Sequence, residues 1–231
     1  MHFFFDSFIA AGRLAWSLDP ELLKIVEVSL AVSGLATLFA SLVAIPAGFT
    51  IAHSHFPGKR VLITLLNTLL ALPTVVIGLF VYVFISRRGI LGHLDLLYSQ
   101  PAMIIGQFLL IVPLITALTI AAVSRVDERY RKTAKTLGAN RWQTALVVLR
   151  EARFAIAAAV ISAFGRVISE IGISMMLGGN IKGFTRTMTT AMALEYDKGS
   201  FTLAVALGLV LMALSLGINV VFNLFQGKSG R

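Results

Sequence analysis

Five long apolar segments restrict what this sequence can fold into. Each has about 20 or more mostly apolar residues, the length that a helix needs to cross the hydrocarbon core of a bilayer. Because backbone amides in lipid have to find their partners within the segment, an all-α polytopic membrane protein is predicted. The predicted spans are residues 25–52, 61–85, 102–123, 154–177 and 201–225.

Composition and charge agree with a membrane protein. Hydrophobic residues make up 57% of the chain and charged residues only 13%, whereas soluble domains average about 45–50% and about 25%. The net charge is +9, but lysines and arginines flank the apolar segments, as expected at membrane boundaries. This position favours a lipid surface over nucleic acid as the partner of the basic residues. Without cysteine, thiolate chemistry is excluded.

The basic residues also predict the orientation of the chain. Twelve of them lie in the connectors after the first, third and fifth spans and seven on the opposite side, while Arg166 lies within span four. Excess positive charge marks the cytoplasmic side, so the N-terminus is predicted outside and the C-terminal tail, 227–231, inside. Residues 1–20 suit an interfacial helix, with a spanning or a cleaved segment as alternatives.

The longest polar connector, residues 125–153, has the pattern of two helices joined by a glycine. Asp127 can cap a first short helix, and Gly138 can adopt positive φ and end it. Asn140 can cap a second helix, with Gln143 in the reciprocal position of a capping box. The connector therefore predicts a helix–Gly–helix element on the cytoplasmic face of the membrane.

This element offers apolar side chains surrounded by positive charge. Ala134, Leu137 and Trp142 alternate with basic residues along it. Two interpretations follow from the residues alone. The element either docks on a protein partner or lies in the interface and binds anionic lipid.

The run from Thr133 to Trp142 resembles the coupling motif of ABC importer permeases, which is Glu-Ala-Ala followed by three residues and Gly. Similar stretches at Pro46–Gly48, Phe56–Lys59 and Leu72–Gly78 extend the resemblance over about residues 21–226. In that family the loop docks into a groove on a cytoplasmic ATPase subunit. The implied docking residues are Lys132, Thr133, Ala134, Leu137, Gly138, Asn140, Arg141 and Trp142.

Three residues depart from the family pattern, at two places in the connector. Lys132 occupies the position of the motif's glutamate and Thr133 that of its first alanine, while Arg150 replaces a proline after the second helix. We therefore expect Lys132 to pair with an acidic group on the ATPase.

The resemblance also implies the rest of the assembly. The chain would form a homodimer in a bacterial or archaeal cytoplasmic membrane, since five spans are few to enclose a path. Two copies of the ATPase would bind ATP and magnesium, and an extracytoplasmic binding protein would deliver the substrate. This chain itself is expected to hold no cofactor and to bind no nucleic acid.

Span four carries the charged residues at predicted membrane depth. Arg166 and Glu170 are four residues apart and share one helical face. Charges in a span usually face a cavity or a partner, so the pair either holds the structure together or contacts a passing ion. Together with Gly172 and Ser174, they are the candidate translocation path or gate.

Hydroxyl groups and positive charges follow in the outer connector. Asn180, Lys182, Thr185, Arg186 and Thr187 suit contact with an oxyanion or with the binding protein, and the alternative is an ordinary loop with helix caps. The run 175–190 resembles the tungstate permeases of the family, and less closely the molybdate permeases. The resemblance implies an oxyanion substrate and leaves tungstate and molybdate open.

Other functions have weaker signals. His53 and His55 lack a third ligand nearby for a metal, and no phosphate-binding Gly-rich loop with Lys-Ser/Thr is present. A channel or secondary transporter is the runner-up, although no convincing internal repeat supports it. An intramembrane enzyme would need paired catalytic groups beyond Arg166 and Glu170, so no catalytic residue is predicted.

Overall fold

The structure is a computed structural model that describes Ile9, Gly12 and residues 20–227, with side chains as far as Val220. The predicted N-terminal segment, 1–20, and the tail, 227–231, therefore lie almost entirely outside the described residues. Within the described part, the chain forms helices and no strands. The predicted all-α class is confirmed.

The described residues form nine α-helices and one short 3₁₀ turn. They are α1 Pro20–His53, α2 Lys59–Leu70, α3 Thr74–Ile85, the 3₁₀ turn Gly92–Leu94, α4 Gln100–Ser124, α5 Glu128–Thr136, α6 Arg141–Ile168, α7 Gly172–Gly178, α8 Met188–Asp197 and α9 Phe201–Gly227.

By length and apolar character, α1, α4 and α9 can each cross a membrane alone. The predicted count of five is reached only if α2 with α3, and α6 with α7, are each counted as one span. The predicted second span is thus two helices, because Pro73 has no amide hydrogen and its ring disfavours helix in the preceding residue.

The predicted fourth span differs from the structure at both ends. The observed helix, α6, begins at Arg141 instead of residue 154, because the second helix of the polar connector continues into the apolar segment without a break. It also stops at Ile168, and α7 starts only at Gly172. At this break the hydroxyl of Ser169 donates to the backbone oxygens of Gly165 and Arg166, a local alternative to the helical ladder.

The chain divides into two compact units. Unit 1 consists of Met1–Ala36, Pro73–Gln107 and Gly165–Arg231, and unit 2 of Thr37–Leu72 and Phe108–Phe164. The whole polar connector, 125–153, belongs to unit 2. The break between α6 and α7 belongs to unit 1.

The core of unit 2 holds the base of the polar connector. Ala122 and Val123, at the end of α4, pack against Val148, Ala152 and Ile156 of α6. Half-buried apolar side chains from the last turns of α1 pack around this cluster. The two ends of the connector are therefore anchored in one apolar core.

In unit 1 the beginning of α1 packs against α8 and α9. Leu22 and Ile25 form a buried cluster with Met188 and other apolar residues of these helices. The buried hydroxyl of Ser29 accepts a hydrogen bond from the Met188 amide at 2.8 Å and donates to the Ile25 backbone oxygen. This contact fixes the start of α8 against α1.

Gly48 allows α1 and α4 to approach closely within unit 2, which leads to a first prediction. A Cβ atom there would lie 2.8 Å from the backbone oxygen of Thr116 and 2.8 Å from the Cβ of Thr119. Because backbone cannot rotate away, we expect Gly48→Ala to destabilise the protein by about 1–3 kcal/mol. Thermal unfolding in detergent, followed by circular dichroism, measures the change.

Gly34→Ala provides the matched control on the same helix, because a Cβ atom at Gly34 meets nothing within 4 Å. Its unfolding midpoint should stay the same or rise slightly, since alanine favours helix. Equal midpoints for the two variants would contradict the close approach at Gly48.

Candidate functional site

Helix caps shape the predicted coupling element, which we define as residues 127–153. The carboxylate of Asp127 accepts from the backbone amide of Arg129 at 2.8 Å and caps α5. Gly138 has φ of +83°. The Asn140 amide donates to Gln143 Oε1 at 2.8 Å, and the Gln143 amide donates to Asn140 Oδ1 at 2.9 Å. The helix–Gly–helix pattern and its capping box are confirmed.

Two large apolar side chains project from the turn between α5 and α6. Leu137 is 82% exposed and Trp142 85% exposed, and we call these two side chains the apolar knob. Ala134 is buried, and its predicted contact with an ATPase stays a prediction. Their exposure on a capped turn agrees with either predicted alternative, a protein partner or the lipid interface.

The basic side chains of α5 differ in their partners. Lys132 lies 3.2 Å from the carboxylate of Glu128, one turn earlier, and both side chains are exposed. This is the favourable order for an i,i+4 pair. Lys132 therefore has a partner in its own helix, and its pairing with an acidic group on an ATPase stays a prediction. Thr133, Asn140 and Arg141 are exposed.

A tyrosine ties α5 to α6 at the base of the element. The Glu151 carboxylate lies beside Tyr130 and accepts a hydrogen bond from its hydroxyl. The negative charge of Glu151, and then this hydrogen bond, raise the pKa of Tyr130 above its ordinary value. The phenol therefore keeps its proton to a higher pH than an ordinary tyrosine does.

The predicted charged pair forms at the break between α6 and α7. Arg166 Nη1 lies 2.9 Å from Glu170 Oε2, and the Glu170 side chain is only 4% exposed. The amide of Ile173 points to the other carboxylate oxygen at 3.4 Å, while the hydroxyl of Thr189 donates to the Glu170 backbone oxygen at 3.0 Å. Because both carboxylate oxygens have partners in the chain, this arrangement favours the structural alternative.

Gln107, on α4, is a polar residue of this region that sequence reasoning missed. It is buried, and its Nε2 lies 3.4 Å from both the backbone oxygen of Val167 and the hydroxyl of Ser174. Its Oε1 has no hydrogen-bond partner among the described residues. The feature of the sequence that could have identified Gln107 is that it is a single amide side chain within an apolar span.

Gly172 is the first residue after the break and begins α7. A Cβ atom there would be 3.2 Å from Thr74 Oγ1 and 3.3 Å from Glu170 Oε1, so a side chain at this position would require both groups to move. We call Gln107, Arg166, Glu170, Gly172, Ser174 and Thr189 the polar break. The structure thus brings the four predicted path residues together with two more.

The structure places two predicted outer-contact residues inside unit 1. Thr185 is fully buried, and its hydroxyl donates to the Gly178 backbone oxygen and accepts from the Ile181 amide. Thr187 is also buried and caps α8 in a capping box with Thr190. These hydroxyls hold the loop together, as in the alternative of an ordinary loop with caps.

The predicted outer cations already have a carboxylate partner. Glu21 lies 2.7 Å from Lys182 Nζ and 3.3 Å from Arg186 Nη1. Arg186 is largely buried, and Asn180 turns inward to donate to the Thr190 backbone oxygen. Of the predicted outer set, Lys182 alone is exposed. Sequence spacing gave no sign of this triad, because Glu21 is 165 residues away from Arg186.

Known proteins resemble this chain along nearly its whole length. The tungstate uptake system permease protein TupB of Peptoclostridium acidaminophilum is 40% identical over 98% of this chain and 99% of its own length. TupB of Campylobacter jejuni is 34% identical over 96% and 92% of the two chains. Both similarities extend far beyond the coupling motif.

A solved structure shares the fold. The crystal structure of a bacterial ABC transporter involved in the import of the acidic polysaccharide alginate matches with a TM-score of 0.77. The match covers 98% of this chain and 84% of that one at 18% identity, so it is evidence for the fold alone. The sequence profile described as binding-protein-dependent transport system inner membrane component matches residues 44–229. The chain belongs to this family of inner-membrane permease components, as its coupling motif predicted.

Proposed function

We propose that this chain is the permease subunit of an ABC importer for tungstate. The observation that carries the proposal is its 40% identity, over 98% of its length, to a tungstate uptake permease. The family is one of inner-membrane components whose transport depends on a binding protein. The substrate itself is inferred from the relatives, and molybdate is the alternative because the two anions are near-identical tetrahedral dianions.

In the proposed assembly, the permease is a homodimer and each copy docks on one ATPase subunit, where ATP and magnesium bind. The apolar knob supports this role, because Leu137 and Trp142 are exposed on a capped, rigid turn. The N-terminus is proposed outside and the C-terminus inside, since the basic coupling element has to face the cytoplasm. The permease contributes the path and the coupling surface, and the ATPase contributes the chemistry.

The polar break is the proposed moving part of the path. The helix ladder is interrupted between Ile168 and Gly172, so a rotation there costs fewer backbone hydrogen bonds than within a continuous helix. The Arg166–Glu170 pair holds one arrangement of this break. We propose that ATP-driven movement of the coupling element shifts α6 and opens the path at this point.

The outer surface is proposed to pass the anion on rather than to select it. Glu21 partly neutralises Lys182 and Arg186, so the three groups form no strong anion trap. A balanced site releases a dianion more readily than an unpaired pair of cations would. Selection between tungstate and molybdate then falls to the extracytoplasmic binding protein.

Reconstitution tests the proposal. The permease, its ATPase and its binding protein are placed in liposomes, and ATP hydrolysis is measured with the binding protein empty or loaded. We expect tungstate-loaded binding protein to stimulate ATP hydrolysis several-fold and to deliver tungstate into the liposomes. The reason is that the substrate favours one conformation of the binding protein, and only that conformation is expected to activate the transporter. Sulfate serves as a tetrahedral dianion control.

Two outcomes would contradict different parts of the proposal. Stimulation by molybdate and not by tungstate would make the substrate assignment wrong but leave the importer intact. Hydrolysis that responds to no loaded binding protein would argue against an importer.

A further inference from the structure

A cleft with an excess of positive charge lies beside the coupling element, within unit 2. It has a volume of about 650 Å³ and opens between the end of α1, the end of α5 and the beginning of α6. Three of its lining residues carry cationic or titratable nitrogen groups, namely His53, Lys135 and Arg141, and none of its described lining residues is a carboxylate. We call it the basic cleft.

The cations of the basic cleft have no counter-charge of their own. Lys135 and Arg141 form no ion pair with the described residues, whereas Lys132, on the same helix as Lys135, is paired with Glu128. Lys59 also lies near His53, but its ammonium group donates to the backbone oxygens of Ala52 and Ser54 at the end of α1. The ammonium group of Lys59 thus caps the end of α1, while the charges of Lys135 and Arg141 remain available to a ligand.

Positive charges nevertheless converge on one imidazole. Arg131 and Lys135 both lie near His53. His53 and Arg131 also line a second, smaller cleft, whose wall includes the carboxylates of Asp127 and Glu128. The ring of His53 stacks on Phe49 with centroids 5.6 Å apart and planes at 15°, so its orientation is fixed. Like charges held close together repel, and a bound anion removes that cost.

The basic cleft also has the donors that a tetrahedral anion requires. Arg141 offers a planar fork of N–H groups and Lys135 a mobile ammonium group. His53 adds a ring N–H, and the start of α6 adds the positive end of a helix dipole. Trp142 forms part of the wall, so its indole lies beside the proposed anion.

We propose that the basic cleft binds a tetrahedral oxyanion, either a free inorganic anion or the phosphate of a lipid headgroup. The proposal is independent of which anion the permease transports. The proposed site lies within unit 2, whereas the polar break belongs to unit 1. Bound anion would neutralise the cations beside the apolar knob.

Fluorescence of Trp142 provides the test with the full-length chain. The protein has two tryptophans, so Trp16→Phe leaves Trp142 as the only reporter. In detergent, inorganic phosphate and tungstate are titrated separately at constant ionic strength against sodium chloride. In a second arm, nanodiscs of phosphatidylglycerol are compared with nanodiscs of phosphatidylcholine.

The decisive variant is Lys135→Gln/Arg141→Gln. A hydrogen bond to a charged group contributes about 1.5–3 kcal/mol, so we expect the double variant to weaken binding at least about tenfold. The matched control is Arg129→Gln/Lys132→Gln, which removes the same charge from the same region without touching the cleft and should leave binding little changed. Circular dichroism verifies the fold, and the two single variants replace the double variant if it does not purify.

Each result assigns or overturns the site. Saturable quenching by phosphate or tungstate that the double variant loses identifies a free-anion site. A response confined to phosphatidylglycerol, and lost in the same variant, identifies a lipid-headgroup site. No saturable response in either arm, or equal responses in the double variant and its control, overturns the proposal.

Discussion

Trp142→Ala is expected to reduce binding-protein-stimulated ATP hydrolysis and transport at least about tenfold, because buried aromatic anchors dominate protein interfaces. Trp142 is 85% exposed in the chain by itself, so its removal costs little folding free energy. The apolar knob has little contact with the rest of the permease chain. On a partner with an apolar groove, it would become the most deeply buried part of the interface.

The measurement has to separate docking from folding. Co-purification with the ATPase reports association, and thermal unfolding of the permease alone should change by less than about 0.5 kcal/mol, as for other surface substitutions. Ile90→Ala is the control, because Ile90 is 78% exposed in the connector before α4 and is predicted to lie on the opposite side. Loss of ATPase binding in Ile90→Ala, or its retention in Trp142→Ala, would exclude the apolar knob as the anchor.

Local patterns in the sequence were sufficient to predict the coupling element. Asp127, Gly138, Asn140 and Gln143 act through neighbours within three residues, and such short-range hydrogen bonds follow from residue type and spacing. The apolar segments were equally informative about the all-α class. The Arg166–Glu170 pair was also predictable, because it lies within one turn of helix.

Long-range contacts could not be predicted in the same way. The pairing of Glu21 with Lys182 and Arg186 depends on how α1 packs, and no local pattern encodes it. Thr185 and Thr187 looked like surface donors, because a hydroxyl has the same appearance in a sequence whether it meets an anion or a backbone oxygen. Hydropathy also joined α2 to α3, since an average over a window does not detect a break three residues long.

The same limit applies to Gln107. An amide in an apolar span indicates a polar contact, but not its partner. In the structure, the Gln107 amide contacts α6 and α7 where the helical ladder is interrupted. Gln107 and the Arg166–Glu170 pair therefore stabilise the same stretch of backbone.

Arg166→Gln should be the most destabilising single substitution at the polar break, and more costly than Glu170→Gln. The two partners differ in burial, with side-chain exposures of 45% for Arg166 and 4% for Glu170. Removing Arg166 leaves a buried carboxylate without its counter-charge, which costs about 3–5 kcal/mol. Removing the charge of Glu170 leaves an arginine that is partly exposed, so its charge is not buried without a partner. We expect a loss of about 1–3 kcal/mol in the free energy of unfolding.

Thermal unfolding of the two single variants and of Arg166→Gln/Glu170→Gln measures this asymmetry. The double variant should recover part of the stability lost in Arg166→Gln, because no buried charge then remains unpaired. Lys24→Gln is the control, since Lys24 and Glu27 are also 2.9 Å apart but exposed, and an exposed pair contributes only about 0–1 kcal/mol. Equal losses for Arg166→Gln and Glu170→Gln would show that burial of the carboxylate does not govern the pair.

Transport should separate the structural role of the pair from direct contact with the anion. If the pair only secures the break, transport activity follows stability, and Arg166→Gln/Glu170→Gln regains activity together with its unfolding midpoint. If Arg166 contacts the passing dianion, the double variant regains stability but stays inactive, because neutral glutamine cannot replace the guanidinium charge. Since both carboxylate oxygens are already occupied within the chain, we expect stability and transport to recover together.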